Sequence, residues 1–489
     1  MIGLWLAAVA LAGEVGTDGE VRLIGSLPPD LPVDARGTTT GQGMVLDSRL
    51  RGGLSFSSGD FRANAEVDVL AGQLAGDVWD IPGDELGDER RRDALDALSL
   101  AGVTPRKASV GLRTGTMDLE VGLTTSSWGL GMVANDGAGD PLFGRADLGD
   151  RVVRLRAATA PWMQPDPKAP QDESRISALY LVAAVDMVVA DDLARVWHQQ
   201  RAYQGVLSTL YSGREGHRLG LYVVGRRQHE ATGAPTTAFA GDVFAALPAN
   251  LGNDWTAKMA VEAAGIVGRT QRALSYQGLD GLGVSSAGVA VQTELSAPDR
   301  VATLYLRGGW ASGDGDPDDG ATHDFTFDRN YDVGMVLFDE VGGATEAGTY
   351  ALLTDGEYAG QPPPGVDAVP TEGAFRRAAY LQPAIGGFPV DGLELRFGVV
   401  VAWATAPIAH PFYSFRAGGE AYNLYDQPTT GRALGTEIDV AAIVGNPDSS
   451  WAFRPQMLVQ YGHAMLSDDL TGAGPGSADL LTATLRGRW

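Results

Sequence analysis

The chain has 489 residues, a formal net charge of −24 and a hydrophobic share of 44%. This share is that of a folded chain rather than a disordered one, and the negative charge excludes nucleic acid as a partner because like charges repel. The sequence has no cysteine, and after the N-terminal segment it has no apolar run of about eighteen residues, so a bundle of membrane-spanning helices is excluded.

The first thirteen residues, MIGLWLAAVALAG, are a short apolar segment followed by small side chains. Ala8 and Ala10 have the small-x-small spacing that signal peptidase needs, and Ala12 with Gly13 offers a second site. No Lys or Arg precedes the apolar core, which departs from the usual positive start. The pattern predicts a signal peptide over residues 1–13 rather than a buried strand or helix, so the mature protein would leave the cytoplasm.

Charged or amide side chains occupy every second position at the start of FRANAEVDVLAGQ, residues 61–73. Small or apolar residues lie between them, and a period of two is typical of a β-strand with two unlike faces. The alternation recurs along the chain in stretches of about nine to thirteen residues, the length that a tilted strand needs to cross a bilayer. Strands of a soluble sandwich are shorter, at about five or six residues.

An apolar face and an ionic face on the same strand indicate lipid on one side and water on the other. Backbone groups in lipid must all be hydrogen-bonded, so such strands must close into a barrel. About seventeen strands fit between Gly41 and Trp489, and residues 21–27 supply the outward strand that must precede them. The sequence predicts one all-β domain over residues 20–489. It would be a transmembrane antiparallel up-and-down barrel of about eighteen strands, or about sixteen, with short periplasmic turns and long extracellular loops.

Two segments do not follow the alternation. DDLARVWHQQRAYQG, residues 191–205, is compatible with a helix or a strand. GDELGDERRRDALDALSLAG, residues 83–102, predicts a short helix within an outer loop.

The C-terminus, TATLRGRW, ends on an aromatic residue that is in phase with the apolar face of the last strand. It resembles the recognition signal of Gram-negative outer-membrane barrels, although Gly487 stands where those proteins more often have an aromatic residue. The resemblance implies that Trp489 is an assembly signal for the barrel-assembly machinery.

Three short motifs accompany an early strand that is followed by a long gap: DSRLRGGLSF at residues 47–56, SWGLGMVANDG at 127–137 and GGWASGDGD at 308–316. Together they resemble the alginate-export and porin-like family of about eighteen-stranded outer-membrane barrels. The resemblance spans roughly residues 20–489. It implies passage of hydrophilic molecules, and an acidic polysaccharide among them, through the outer membrane of a Gram-negative bacterium.

The charged side chains of the alternating stretches fall on the face that is predicted to meet water. On that face cations outnumber acids although the whole chain is acidic, and arginines in a pore attract anions. The structural alternative for any single arginine is an Arg–acid ladder that stiffens the barrel. The predicted pore-lining residues are Arg49, Arg51, Arg62, Glu66, Asp68, Lys107, Arg113, Asp118, Glu120, Arg154, Arg156, Arg218, Arg226, Arg307, Arg396, Arg454 and Arg486.

GDGDPDDG, residues 313–320, places Asp314, Asp316 and Asp318 at alternate positions and is a weak calcium candidate. Asp319 stands where an EF-hand loop needs Gly and Phe325 where it needs a bidentate Glu, so a solvated outer loop is favoured. No hydrolase, phosphate-loop or dinucleotide motif is present, and the histidines show no ligand spacing. We therefore expect no metal, no cofactor and no enzymatic activity.

The sequence thus predicts an outer-membrane channel that passes hydrophilic, anionic solutes or polymer through an Arg-rich lumen. The alternatives are an outer-membrane barrel enzyme, such as a lipid hydrolase, and a structural or interaction barrel without transport. The predicted partners are outer-membrane lipid, lipopolysaccharide, the barrel-assembly machinery, and small anions or an acidic polysaccharide.

Overall fold

A computed structural model describes residues 13–489 except 42, 77–102, 147–148, 165–175, 275–280, 317–318, 358–359, 361, 364, 370, 372, 446–451, 473 and 475. The described chain forms a closed antiparallel barrel of eighteen strands, which confirms the predicted fold class. Each barrel strand pairs with its neighbours in the chain, and the last pairs with the first. The predicted helix at residues 83–102 and nearly all of the predicted signal peptide lie outside the described residues.

The barrel strands are nine to eighteen residues long, which is enough to cross a bilayer at a tilt. They are β1 (Glu14–Leu27), β2 (Val45–Ser58), β3 (Phe61–Gly76), β4 (Val103–Thr114), β5 (Met117–Thr125), β6 (Arg151–Gln164), β7 (Ser177–Ala190), β8 (Arg201–Ser212), β9 (Arg218–His229), β10 (Pro235–Gly252), β11 (Trp255–Thr270), β12 (Leu282–Ser296), β13 (Thr303–Ala311), β14 (Ala378–Val390), β15 (Leu393–Ala404), β16 (Ala433–Val444), β17 (Arg454–Leu466) and β18 (Ser477–Arg488). A two-residue strand, Ala321–Thr322, lies parallel to β12 outside this count.

The outward positions of the strands carry large apolar side chains that are exposed. Leu155, Val185 and Leu207 are 61%, 64% and 63% exposed, although such side chains are among the most buried in soluble proteins. The alternate positions point into the barrel, where they pack against inserted loops or form ion pairs. The exterior is therefore a lipid-facing belt, and the polar face is enclosed.

Connections alternate in length around the barrel. At the end that holds Trp489, two residues each join β2 to β3, β4 to β5, β10 to β11 and β14 to β15. The opposite end carries the long connections, among them residues 126–150, 312–377 and 405–432. By the asymmetry of outer-membrane barrels, the first end is periplasmic and the second extracellular, as predicted. The strand that was predicted over residues 21–27, running from the periplasmic to the extracellular end, is β1. It begins earlier than expected, at Glu14.

Short helices occur in the described connections. The α-helices are α1 (Gly343–Thr354), which follows a π-helical turn at Leu337–Gly342, α2 (Pro411–Arg416) and α3 (Asp468–Thr471). Single 3-10 turns lie at Val196–His198, Arg214–Gly216, Pro298–Arg300 and Val366–Ala368. The segment of residues 191–205 therefore holds both a helical turn and the start of β8. Among the described residues, no helix has the length and hydropathy of a membrane span.

The barrel closes along a seam between β1 and β18. Glu20 lies opposite Arg488, and Arg488 Nε donates to Glu20 Oε2 across 2.9 Å. The next residue, Trp489, exchanges backbone hydrogen bonds with Gly19 at 3.1 and 3.2 Å. A Cβ atom on Gly19 would collide with the Trp489 indole, so only a glycine at this position lets the ring pack against the backbone of β1.

We expect Gly19→Val to lower the yield of folded barrel in outer membranes, because the new side chain displaces the ring of the predicted assembly signal. Trp489→Asp should lower it to a similar extent. The yield is measured as the heat-modifiable band on unheated gels. Gly52→Val is the matched control, since Gly52 pairs with Gly19 on β2 and a Cβ there meets nothing within 4 Å. Equal yields of the two valine variants would contradict the conclusion that Gly19 is needed to accommodate the Trp489 ring.

Candidate functional site

The described part of the β5–β6 connection, residues 126–146 and 149–150, folds into the barrel and is here called the inner loop. Its first part is held by β10 and β11. The indole Nε1 of Trp128 donates to Asp242 Oδ1 of β10 across 2.8 Å, and the backbone N–H of Leu130 donates to the Glu262 carboxylate of β11. β10 and β11 are not adjacent to β5 or β6 in the barrel. The first residues of the loop therefore extend away from β5 and contact a different part of the barrel wall.

The second part of the inner loop reaches the opposite wall. Arg145 forms an ion pair with Asp47 of β2 at 2.5 Å. Gly144 and the side-chain amide of Gln460 on β17 exchange two hydrogen bonds, at 3.0 and 3.1 Å. The ring of Phe143, the residue before Gly144, is buried in an apolar cluster. Because β10–β11 and β17–β2 lie on opposite sides of the barrel, the inner loop crosses the lumen.

The β13–β14 connection adds a second inner segment, residues 325–342. Phe327 and Tyr331 pack edge to face with ring centres 5.0 Å apart. The Tyr331 hydroxyl shares a hydrogen bond of 2.9 Å with the Tyr380 hydroxyl of β14, and the Arg307 guanidinium of β13 lies 5.5 Å from the centre of the Tyr331 ring. These contacts fix the segment to β13 and β14.

A single buried carboxylate holds the second inner segment to β16. Glu437 accepts the backbone N–H groups of Met335, Val336 and Leu337 at 2.5, 2.8 and 2.8 Å. Gly334 precedes them with a φ of +73°, and a Cβ there would lie 2.7 Å from the Glu437 carboxylate. Only a residue without a side chain permits this close approach with that backbone conformation.

The two inner segments also bind each other. The backbone N–H of Asn135 donates to Asp328 Oδ2 across 3.1 Å, and the N–H of Asp328 donates to the Met132 carbonyl across 2.9 Å. Burial, together with the neighbouring Asp192 charge, raises the pKa of the Asp328 carboxyl well above its usual range. The inner loop and the second inner segment thus form one connected constriction within the lumen.

The inner face of β1–β7 carries a dense set of charges and is here called the charged wall. The Arg51 guanidinium donates two hydrogen bonds of 2.7 and 2.8 Å to the Asp68 carboxylate. Arg154 donates two to the Asp186 carboxylate at the same distances. Both aspartates are fully buried, so water screens these pairs weakly. The other pairs of the charged wall are Arg49–Glu20 (2.6 Å), Arg62–Asp118 (2.7 Å), Lys107–Glu66 (3.0 Å) and Arg156–Glu120 (2.7 Å).

The remaining predicted pore residues also lie at inward positions of their strands. Three are paired: Arg226 with Asp191 (2.5 Å), Arg396 with Glu394 (2.6 Å) and Arg486 with Asp140 of the inner loop (2.5 Å). Arg113 and Arg218 are exposed at the periplasmic ends of β4 and β9 and form no ion pair with any described residue. Arg454 lies at the same end, on β17. That these side chains line a conducting path remains a prediction.

The sequence-based sum of lumen charges is incomplete, both for acids and for cations such as Arg106 and Arg145. The sequence-based sum covered the alternating strands alone and omitted Glu20 and Asp186, which pair with Arg49 and Arg154. It also omitted the acids that the connections bring into the barrel, such as Asp140. The charged wall is therefore mainly an Arg–acid ladder, the structural alternative that the sequence left open.

Sequence reasoning missed other inward charges for local reasons. Arg106 and Lys107 both contact Glu66, at 2.9 and 3.0 Å, although they are consecutive residues. A register shift after Glu66 in the β3–β4 pairing produces this, and a strict period of two cannot detect it. Asp242 and Glu262 are two more inward charges that were missed. Each is an acid in an otherwise weakly apolar strand, and that feature could have identified them from the sequence.

The calcium candidate lies in the β13–β14 connection. Asp314 Oδ1 accepts the backbone N–H of Asp316 at 3.0 Å, and Asp318 lies outside the described residues. Among the described residues, no three His, Asp or Glu side chains are grouped so that they could hold a metal ion.

No family model and no curated protein matches the chain. Solved structures do match, and OccAB1 of Acinetobacter baumannii has a TM-score of 0.53 at 11% identity over 97% of this chain and 96% of its own. The outer membrane protein OprD of Pseudomonas aeruginosa has a TM-score of 0.51 at 9% identity, with 97% and 94% covered. OccD3 (OpdP) of the same species has a TM-score of 0.51 at 12% identity, with 97% and 91% covered. The porin-like fold is thereby confirmed, whereas the likeness to alginate-export barrels remains a prediction. The chain has the fold of the eighteen-stranded outer-membrane barrels.

Proposed function

We propose that the protein is a porin-like channel of the Gram-negative outer membrane that passes small hydrophilic solutes. The observation that carries this proposal is a charged inner wall that faces a lumen narrowed by two inserted connections. A barrel that served as a scaffold alone would need neither, because ionic side chains are costly to enclose and apolar side chains could fill its interior. The match in fold to outer-membrane barrels supports the assignment.

The inner loop favours small solutes over a polymer. Its contacts Trp128–Asp242 and Arg145–Asp47 lie on opposite walls, so the loop spans the path that a chain molecule would follow. Passage of an acidic polysaccharide would require one of these anchors to break. We therefore prefer a solute channel to the exporter that the resemblance to alginate-export barrels implied.

We further propose that the solutes carry anionic groups such as carboxylates. Arg62, Lys107 and Arg156 of the charged wall are 29%, 35% and 26% exposed, so their donors are open to the lumen in part. Arg113 and Arg218 are exposed at the periplasmic mouth. Guanidinium groups bind carboxylates in a forked geometry, which suits them to guide such solutes.

A barrel enzyme is the competing class. On the outer surface of the barrel, His463 Nδ1 lies 2.8 Å from Asp479 Oδ1, and the Tyr461 hydroxyl donates to the same oxygen. A hydrolase would add a serine nucleophile in contact with the imidazole. No serine among the described residues is hydrogen-bonded to His463, so the channel is the better-supported function.

Replacing Arg113 and Arg218 together by Gln should lower the anion-to-cation permeability ratio of reconstituted channels by about two- to fourfold at low salt. Because the Debye length falls from about 10 Å at 0.1 M to about 3 Å at 1 M, the difference should fade as salt rises. The reversal potential in a salt gradient measures the ratio. Neither arginine has an ion-pair partner among the described residues, so the change leaves the ladder intact.

The control is the double Lys variant, which keeps both charges and should behave as the unmodified protein does. A channel that prefers cations from the start would contradict the anionic solute and leave the channel standing. Folded protein that gives no conductance above the bare bilayer would contradict the channel itself.

A further inference from the structure

Arginines occupy outward positions of the described strands at three places, and all three lie at extracellular strand ends within a group of four consecutive strands, β8–β11. They are Arg201 of β8, Arg227 of β9 and Arg269 of β11, and each is exposed. Their orientation follows from the adjacent residues Ala202, Gln228 and Thr270, which are buried inside the barrel. These three arginines are here called the basic patch.

The sheet register brings the basic patch together. Thr237 of β10 pairs with Arg227 on one side and with Arg269 on the other. Arg201 lies diagonally opposite Arg227, because it pairs with His229 two residues farther along β9. Neighbouring strands lie about 4.8 Å apart, so the Arg227 and Arg269 backbones are about 10 Å apart and their long side chains can reach one ligand.

The basic patch lies where the apolar belt ends. On β8, β10 and β11 the next outward positions towards the membrane centre are Tyr203, Phe239 and Val267, all exposed. An aromatic side chain followed by a cation marks the level of the lipid headgroups. On the extracellular side this is the headgroup level of the outer leaflet.

Two arginines of the basic patch, Arg201 and Arg227, lack a counter-charge among the described residues. Like charges this close repel each other, and the side chains of Arg201 and Arg227 form no hydrogen bond or ion pair with any described residue. The whole chain is strongly acidic, at −24, so a local group of cations on the lipid-facing wall is not a result of composition. An anionic ligand in the membrane plane would satisfy all of these conditions.

We propose that the basic patch binds the phosphate groups of a phosphorylated glycolipid in the outer leaflet, the chemistry of the lipid A part of lipopolysaccharide. Guanidinium groups fork onto phosphate oxygens, and the apolar positions beneath receive the acyl chains. The proposal rests on the outer-membrane orientation of the proposed function. It is independent of what passes through the lumen.

Binding of diphosphoryl lipid A to the full-length folded protein in detergent tests the proposal. Each juxtamembrane cation contributes about fivefold, so Arg227→Gln should raise the Kd about fivefold and the triple Gln variant about a hundredfold. Arg300→Gln is the matched control, because Arg300 is an exposed arginine of a periplasmic turn and its loss should leave the Kd unchanged. Heat-modifiability on gels shows that each variant is folded, and Arg227→Gln alone decides if the triple variant does not fold.

Two further measurements identify the ligand. Lipid A without its phosphates should bind the unmodified protein as weakly as diphosphoryl lipid A binds the triple variant. Inorganic pyrophosphate, added at the same concentration as the lipid A, should not compete with it. Equal affinities of the unmodified and triple variants, an Arg300→Gln effect as large as that of Arg227→Gln, or full competition by inorganic pyrophosphate would each overturn the proposal. Channel conductance is recorded on the same samples. Its absence with intact lipid binding would contradict the proposed function and leave the lipid site standing.

Discussion

Replacing residues 138–146 of the inner loop with a short Gly-Ser linker raises the single-channel conductance severalfold. The replaced residues include Phe143, Gly144 and Arg145, which carry the contacts to β2 and β17. The anchor at Trp128 stays, so the shortened loop remains on the wall of β10–β11. A barrel of this strand number leaves a wide aqueous lumen when nothing fills it, and ion flow grows with the open cross-section. Recordings from planar bilayers measure the change.

The control for this experiment is an equal shortening of an extracellular connection that is exposed. Gly418 and Gly419 lie in the β15–β16 connection, where an added Cβ would meet nothing within 4 Å at either position. Replacement of the residues around them should leave the conductance unchanged. If both shortened proteins conduct as the unmodified protein does, the inner loop does not limit the flow, and the constriction must be sought elsewhere.

Glu437→Ala lowers the free energy of unfolding by about 4 kcal/mol, the second large effect that we expect. Three backbone N–H donors lose their acceptor in a buried place, and each unsatisfied donor costs about 1–3 kcal/mol. Part of the cost is relieved as residues 335–337 move, which should also increase current noise in the open channel. Glu437→Gln retains one acceptor oxygen and should lose less. Urea unfolding followed by tryptophan fluorescence measures the differences.

Glu294→Ala is the matched control on the same inner surface. Glu294 is half-exposed on β12, and Lys258 lies 3.8 Å from it, so the pair is open to water. Exposed pairs of this kind contribute about 0–1 kcal/mol. A loss for Glu437→Ala no larger than that for Glu294→Ala would show that the second inner segment does not depend on this carboxylate.

The barrel wall could be predicted because lipid imposes a local rule. Outward positions within the lipid-facing belt must be apolar, so Leu155 and its neighbours at every second residue carry the signal within a few residues of sequence. The alternation of long and short connections is equally visible along the chain. Strand existence, topology and the faces of the strands therefore followed from the sequence.

The constriction could not be predicted, because distant contacts hold it in place. Gly144 and Gln460 are 316 residues apart in sequence, and nothing in the inner loop repeats with a period. The partners of the arginines were hidden for a similar reason. Asp140 reaches Arg486 from a connection, and the Arg106 position depends on a bulge that shifts the alternation by one residue. Placing such residues requires the closed barrel, and the pattern of a single strand does not supply it.

The seam between β1 and β18 determines when folding can finish. Glu20 and Arg488 pair across 468 residues of sequence, so the sheet stays open at both edges until the last strand has been made. Closing so long a loop costs little more entropy than closing a shorter one, because the cost grows only logarithmically with length. The consequence is kinetic: contacts of such long range form slowly, and unpaired edges are templates for aggregation until they meet. The chain must therefore be protected from its own copies for the whole time before closure.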